Sequence, residues 1–469
     1  MKKKVVSALL CATMVATMFA GCGSKDSSDN ATTPDTSKAD TSSEVTAPAE
    51  DTGKVLNIYC WNEEFKSRIT AHYPDYQEVD ATHGKIGDVD VVWNITPNDD
   101  NAYQNNLDAT LLNQADAPAD DKIDLFLVEA DYALKYVDTD YTMPIKDLGI
   151  TDSDLSKQYQ YTKDIVTDSK GVLKGLSWQG CPGVLFYNRD AAKEVLGTDD
   201  PDKVQESVKD WDAYNDTAKK MKDAGYKMTA SANDTYRVYS NNVTSKWVDG
   251  NKINIDDNIM KWVDDSKAQV DAGETGTCDL WSDDWSKGFY PQGKVFCYFG
   301  PAWLVNFSMA ADTEGSIGYN GGWGAAQGPQ GFFWGGTWIC AAQGTDNANL
   351  VKDIMLKMTT DDDIMKDIVV DDDDFVNNST VMNGLADGSI KVKDDKEYTS
   401  KILGGQNPLP MYCAGVETLD LSNLSSYDQG CNEEFQNAMK NYFEGKASKE
   451  DALDLFYKAV TEKYPELTY

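Results

Sequence analysis

At 469 residues the chain is too long for one core and suggests two domains with additions. Its 41% apolar content, with 24 Tyr, 12 Trp and 14 Phe, excludes a wholly disordered chain. A formal charge of −35, from 43 basic and 78 acidic residues, repels phosphate backbones and anionic headgroups, which excludes nucleic acid as a partner.

The first residues read as a targeting segment. Lys2, Lys3 and Lys4 precede an apolar stretch over 5–18 that is too short to span a membrane stably. It ends in Phe19-Ala20-Gly21-Cys22, which resembles the lipobox of bacterial lipoproteins and implies a signal over 1–21 and acylation of Cys22. An ordinary secretory signal is the alternative, and either exports the chain. Residues 22–54 are rich in Ser, Thr, Asp, Ala and Pro, with Val45 the only large aliphatic before Gly53. Such a segment buries nothing and is expected to be a disordered tether with a reach of about 30 Å. Beyond Cys11 and Cys22, seven scattered cysteines remain of the nine, without C-x-x-C pairs. They are expected as small buried hydrophobes rather than a disulfide framework, with one bridge left open.

Alternating residues predict a strand over 55–61, and Asn62-Glu63-Glu64 opens a helix over 65–72. A strand over 89–93, a helix over 102–112 and a nearly all-apolar strand over 123–128 follow. A continuous apolar strand after a helix implies a parallel sheet covered on both faces. Ligands of such sheets sit beyond the carboxyl ends of the strands, here Trp61 to Glu64 and Glu129 to Tyr132. Strands over 172–178 and 184–187 flank Gly180-Cys181-Pro182-Gly183, which neither continues a helix nor supplies a full ladder. A helix over 191–196, capped by Asp190 and stopped by Gly197, completes a crossing between two domains. Helices over 204–224 and 259–272 lead to a strand over 294–299 and to Gly300-Pro301-Ala302-Trp303, which opens a further helix. The Gly- and Trp-rich stretch 315–344 reads as strands and tight turns with a second crossing. A helix over 350–370 follows, and the region 433–464 gives two helices separated by Gly445.

Five of these stretches occur in a recognisable order. They are the strand ending in Trp61-Asn62-Glu63, then Asp124-Leu-Phe-Leu-Val-Glu-Ala-Asp131 and Gly183-Val-Leu-Phe-Tyr-Asn-Arg-Asp190. Gly293-Lys-Val-Phe-Cys-Tyr-Phe-Gly-Pro-Ala-Trp303 and Gly335-Gly-Thr-Trp-Ile-Cys-Ala-Ala342 complete the set. From about residue 55 onward the chain resembles the extracellular solute-binding proteins of sugar ABC transporters, the group of the maltose-binding protein. The resemblance implies two α/β lobes, each a mostly parallel sheet flanked by helices, joined by crossover strands. Lobe I would comprise 55–180 and 337–403, and lobe II 181–336 and 404–469. A sugar would bind between them, with closure of the lobes. Carried over, it puts Trp61, Asn62, Glu63 and Glu64 at the first-lobe lip, with Asp131 as a hydroxyl acceptor. Trp178 would lie on the crossing, Tyr236 and Trp303 would be second-lobe stacking platforms, and Trp334 would lie near the second crossing. Asp428 or Asn432 would contribute from a late helix. Cys181 stands where the maltose-type pattern carries a carboxylate, which argues against maltose itself.

Sugar sites pair flat aromatics with carboxylates and amides, because sugars offer hydroxyls beside apolar C–H faces. Trp334 and Trp338 alternate along one expected strand and should share a face. Trp323 and Trp338 read as structural, and Trp211, Trp247 and Trp262 as core. The two histidines, His72 and His83, lack H-x-x-x-H spacing, and the aspartate runs 361–363 and 371–374 lack the EF-hand glycine and closing glutamate. No metal, cofactor or catalysis is therefore expected. The reading is a monomeric, lipid-anchored, extracytoplasmic binding protein that captures a neutral oligosaccharide and hands it to a transporter permease. Its rivals are a surface glycoside hydrolase, with Glu63, Glu64 and Asp131 as acid and base, and a glycan adhesin without transport.

Overall fold

The computed structural model describes residues 50–469, so the signal, Cys22 and nearly all of the tether lie outside the described residues. The first alternating run forms β1 (Val55–Cys60), with Leu56, Ile58 and Cys60 buried. β2 (Tyr76–Glu78), β3 (His83–Ile86), β4 (Val89–Ile95) and β5 (Leu125–Glu129) follow. β1 pairs in parallel with β4 on one side and β5 on the other. Leu125 to Val128 are all buried, as a strand covered on both faces requires. The strand expected over 172–178 shrinks to β6 (Leu176–Ser177). The Asp168 carboxylate takes the N–H groups of Lys170 and Val172 and ties the preceding residues into a turn.

β7 (Pro182–Asn188) opens a second sheet. Its side chains alternate: Val184 and Phe186 face the core shared with the first sheet, and Leu185 and Tyr187 face a second cluster. Asn188, rather than Asp190, caps the next helix, Arg189–Leu196, by accepting the N–H groups of Asp190 and Ala191. β8 (Val248–Asp249) and β9 (Lys252–Ile253) form a small hairpin. β10 (Cys297–Gly300), β11 (Trp323–Ala326) and β12 (Phe332–Phe333) all pair with β7, and β13 (Thr337–Ala341) returns to the first sheet between β5 and β6. The first sheet has the order β2-β3-β4-β1-β5-β13-β6.

The architecture is two lobes, but the sheets are mixed rather than mostly parallel. Among the named strands parallel pairing is confined to β4-β1-β5, and the pairs of the second sheet are all antiparallel. The reason is directional: β7 carries the chain away from the crossing, and β10, β11 and β12 all run back towards it. Helices expected to be continuous also break. Asp210 caps Trp211–Asp223 after the separate turn Pro201–Glu206, and Asp361 divides Ala348–Thr360 from Asp362–Asp372. A third cluster, around Trp262, Phe435 and Phe456, packs the helices Asp257–Ala272, Asp428–Phe443 and Lys449–Lys463 onto the second lobe.

The chain changes sheets between β6 and β7 and again between β12 and β13. Cys181 adopts a left-handed φ of 58°, which non-glycine residues seldom do, and Gly335 and Gly336 have φ of 67° and 106°. The two passages touch, since a Cβ on Gly336 would lie 3.1 Å from Cys181 Sγ. The glycine pair also separates the tryptophans expected on one strand. Trp334 lies in the passage, while Trp338 is buried in β13 and donates to the Thr162 carbonyl at 2.7 Å. All seven cysteines of the described residues are free thiols. Among those residues no helix is long and apolar enough to cross a membrane.

Candidate ligand-binding cleft

A cleft of about 560 Å³ opens between the lobes at the crossings. The first lobe contributes residues that follow its parallel strands: Trp61 after β1, Asn98 after β4, and Glu129 and Asp131 at the end of β5. These are the carboxyl ends, where strand-end loops leave room for a ligand. The second lobe contributes Arg237, Trp281, Trp303 and Phe307, and helix Asp428–Phe443 adds Gln429, Glu433 and Gln436. Gln179 and residues 334–337 form the floor.

Trp61 is half-buried, with its ring tilted against Tyr103 at 5.7 Å and set edge-on to Tyr132 at 6.2 Å. Across the cleft three indoles cluster. Trp281 stacks over Trp303 at 6.2 Å and 27°, Trp303 and Trp334 are 5.4 Å apart, and Trp303 Nε1 donates to the Trp334 carbonyl. Trp281, which sequence reasoning missed, is 56% exposed and has a left-handed φ of 68°. A large aromatic in that backbone region carries a conformational cost, which its ring contacts with Trp285, Trp303 and Trp334 offset. It stands in an irregular stretch just before Ser282, the cap of the next short helix, so no periodicity points to it.

Asp131 is placed at the cleft but not as a free acceptor. Arg237 of the opposite lobe binds it through both terminal nitrogens, Nη1 to Oδ1 at 2.7 Å and Nη2 to Oδ2. Glu129 Oε2 accepts the Asp131 N–H at 2.8 Å. Burial and the neighbouring Asp131 charge raise the Glu129 pKa well above the usual carboxylate range, with Arg237 opposing. Asn62 lines the cleft and accepts the Glu64 N–H at 3.0 Å. Glu64 is buried and accepts Gln179 Nε2 at 2.7 Å, and the same nitrogen reaches Asp374 Oδ2 at 3.2 Å. Arg68 bridges the acids, 2.8 Å from Asp372 and 3.6 Å from Asp374. Burial raises the Glu64 pKa, against the pull of Arg68. This network ties the cleft wall to the first crossing through Gln179.

Five residues expected at the site do not line the cleft, Asn432 among them. Glu63 is exposed on the solvent side of the helix start. Trp178 is fully buried and stacks on Phe65 at 5.2 Å and 22°. Tyr236 is 1% exposed; its hydroxyl donates to Asn432 Oδ1 at 2.6 Å and its ring meets Trp262 edge-on. It is a rivet of the helical cluster, and the next residue, Arg237, takes the cleft position because successive helical side chains diverge by about 100°. Asp428 accepts the Ser425 hydroxyl at 2.6 Å and faces a separate cavity of about 190 Å³ beyond the Asp131–Arg237 pair. Gln429, Glu433 and Gln436 occupy the adjoining stripe of that helix, at spacings of four and three.

Two lobes with a polar, aromatic-lined cleft between them at paired crossings define a solute-binding architecture. Residues 76–399 match the model of the bacterial extracellular solute-binding proteins, and the chain belongs to that family. The family is extracellular, which places the chain outside the cytoplasm. No curated protein matches the chain. Among solved structures it is similar to an ABC-transporter binding protein from B. animalis subsp. lactis in complex with β-1,6-galactobiose. The identity is 19% and the TM-score 0.65, over 89% of this chain and 99% of that one. The galacto-N-biose/lacto-N-biose I-binding protein of Bifidobacterium longum gives 13% and 0.63, over 89% and 98%. Maltose-bound MalE3 of T. maritima gives 13% and 0.61, over 87% and 99%. At these identities the likeness is one of fold.

Proposed function

We propose that this protein is the substrate-binding component of an ABC transporter and captures an oligosaccharide between its lobes. The observation that carries this reading is the cleft itself, with a tryptophan cluster facing Trp61 and a rim of carboxylates and amides. Indole faces cover the apolar C–H surfaces of a sugar, and the rim matches its hydroxyls. The ligands of the similar structures, galactobiose, lacto-N-biose and maltose, support it. Lobe I comprises 55–180 and 337–403, lobe II 181–336 and 404–469, and closure turns on residues 180–181 and 335–336. Trp61, Asn62, Trp281, Trp303 and Trp334 contact the sugar directly, Asp131 acts through its pair with Arg237, and Glu64 acts through Gln179. Cys22 anchors the mature monomer to the membrane, the tether floats the folded body, and a permease receives the ligand. Against hydrolysis, both oxygens of Asp131 are engaged by Arg237, which leaves it poorly placed as nucleophile or base.

A thermal-shift screen of the mature chain carrying Cys22→Ser, against an oligosaccharide panel, tests the reading. A ligand bound only by the folded form raises the melting temperature with concentration. Small-angle scattering at saturation should then show a smaller radius of gyration. No shift with any sugar, or an unchanged scattering profile with one that binds, would refute capture or closure respectively.

A further inference from the structure

The charged residues lining the cleft are chiefly acids. Glu64, Glu129, Asp131 and Glu433 line it, and among its described lining residues the only cation is Arg237. That guanidinium is committed to Asp131 through both terminal nitrogens and lies 5.9 Å from the centre of the Trp334 ring. Three of the four carboxylates are likewise engaged: Glu64 by Gln179, Asp131 by Arg237, and Glu433 by Gln429 at 2.9 Å and Lys463 at 3.2 Å.

Glu129 differs. Its Oε2 takes the Asp131 N–H, while Oε1 reaches the floor at Gly335. A Cβ placed on Gly335 would lie 3.3 Å from Glu129 Oε1 and 3.4 Å from Trp303 Cζ2, so the oxygen and the indole both border the floor at Gly335. Trp334 closes the other side, 5.4 Å from Trp303. An ammonium group beside this oxygen would draw off the proton that burial favours on Glu129, and would gain a charge-assisted hydrogen bond to the carboxylate and attraction to the neighbouring rings. An acidic sugar would bring its carboxylate or phosphate among like charges with no open cation to meet it. The −35 formal charge of the chain repels it at longer range.

Resting on the proposed sugar-binding reading, we infer that the cleft selects ligands by charge. It favours an amino sugar, seating the protonated nitrogen between Glu129 and the Trp303 and Trp334 rings, admits neutral sugars more weakly, and turns away uronates and sugar phosphates.

Calorimetry on the wild-type mature chain tests this with matched disaccharides in both gluco and galacto configuration. Each set holds the neutral, 2-amino, N-acetyl and uronate forms. The 2-amino form should bind at least about tenfold more tightly than the neutral and N-acetyl forms of its set, and the uronate should show no binding. Glu129→Gln should bring the amino and neutral forms to the same affinity. Amino and neutral forms that already bind equally in the wild type would overturn the inference and leave sugar binding standing. Equality of that kind would mean Glu129 meets the ligand as a protonated hydroxyl donor. A uronate that binds as well as the neutral form also overturns it. Absence of binding by every member sinks the sugar reading and this inference together. The wild-type panel decides the matter even where Glu129→Gln fails to fold.

Discussion

The Asp131–Arg237 pair links the lobes, so removing it should loosen closure. The two side chains are 20% and 17% exposed, which places the pair between a solvated surface bridge and a buried one. A bidentate, charge-assisted pair in that setting, discounted for solvent screening, is worth about 1–2 kcal/mol. In the open–closed equilibrium this is roughly a 5- to 30-fold shift towards the open form. Arg237→Gln also leaves Asp131 beside Glu129 with no counter-charge, so its effect should exceed that of Asp131→Asn. The assay is a double-mutant cycle on ligand affinity, with the radius of gyration of each variant at saturation and at low and high salt. We expect a coupling energy of about 1–2 kcal/mol, and wild-type closure that weakens with salt while the double variant is indifferent, since screening acts only on the charged pair. Coupling within about 0.5 kcal/mol of additivity, together with equal salt dependence in all four proteins, would refute the latch.

Trp281→Ala and Trp303→Ala should each weaken sugar binding by roughly 5- to 150-fold, the loss of an aromatic platform worth about 1–3 kcal/mol, with the fold intact by circular dichroism. Trp178→Ala should instead lower stability by about 3–5 kcal/mol in denaturant unfolding, because the indole is fully buried against Phe65. A stable Trp178→Ala that no longer binds would reverse those assignments. Burial raises Asp234 to about 7 and Asp428 to about 6. An acid raised on folding contributes stability that is present below its unfolded value and lost as pH rises through the folded one. The melting temperature should therefore fall between about pH 4 and pH 8; a rise across that window would contradict the burial of these acids. Cys22→Ser should abolish fatty-acid labelling and stable membrane attachment, and labelling that persists would rule out the lipobox.

Local patterns made part of this protein legible from its residues alone. The strands over 55–61 and 89–93 and the apolar run 123–128 pointed to a parallel sheet and to the strand ends that carry Trp61 and Asp131, while the order β4-β1-β5 came from the fold. Gly-Cys-Pro-Gly marked the first crossing at Gly180 and Cys181, although Pro182 and Gly183 open β7. What depends on orientation or on distant partners was not legible. Arg237 meets Asp131 across 106 residues, and only the docking of the two lobes reveals that the expected hydroxyl acceptor is an ion-pair partner. Tyr236 and Arg237 are neighbours in sequence, yet the step of about 100° between successive helical residues sends the first into a core and the second into the cleft. The same rotation exchanges Asp428 and Asn432 for Gln429, Glu433 and Gln436. Trp281 sits in a loop packed against Trp285, four residues on, and against Trp303 and Trp334, whose contacts no local spacing encodes.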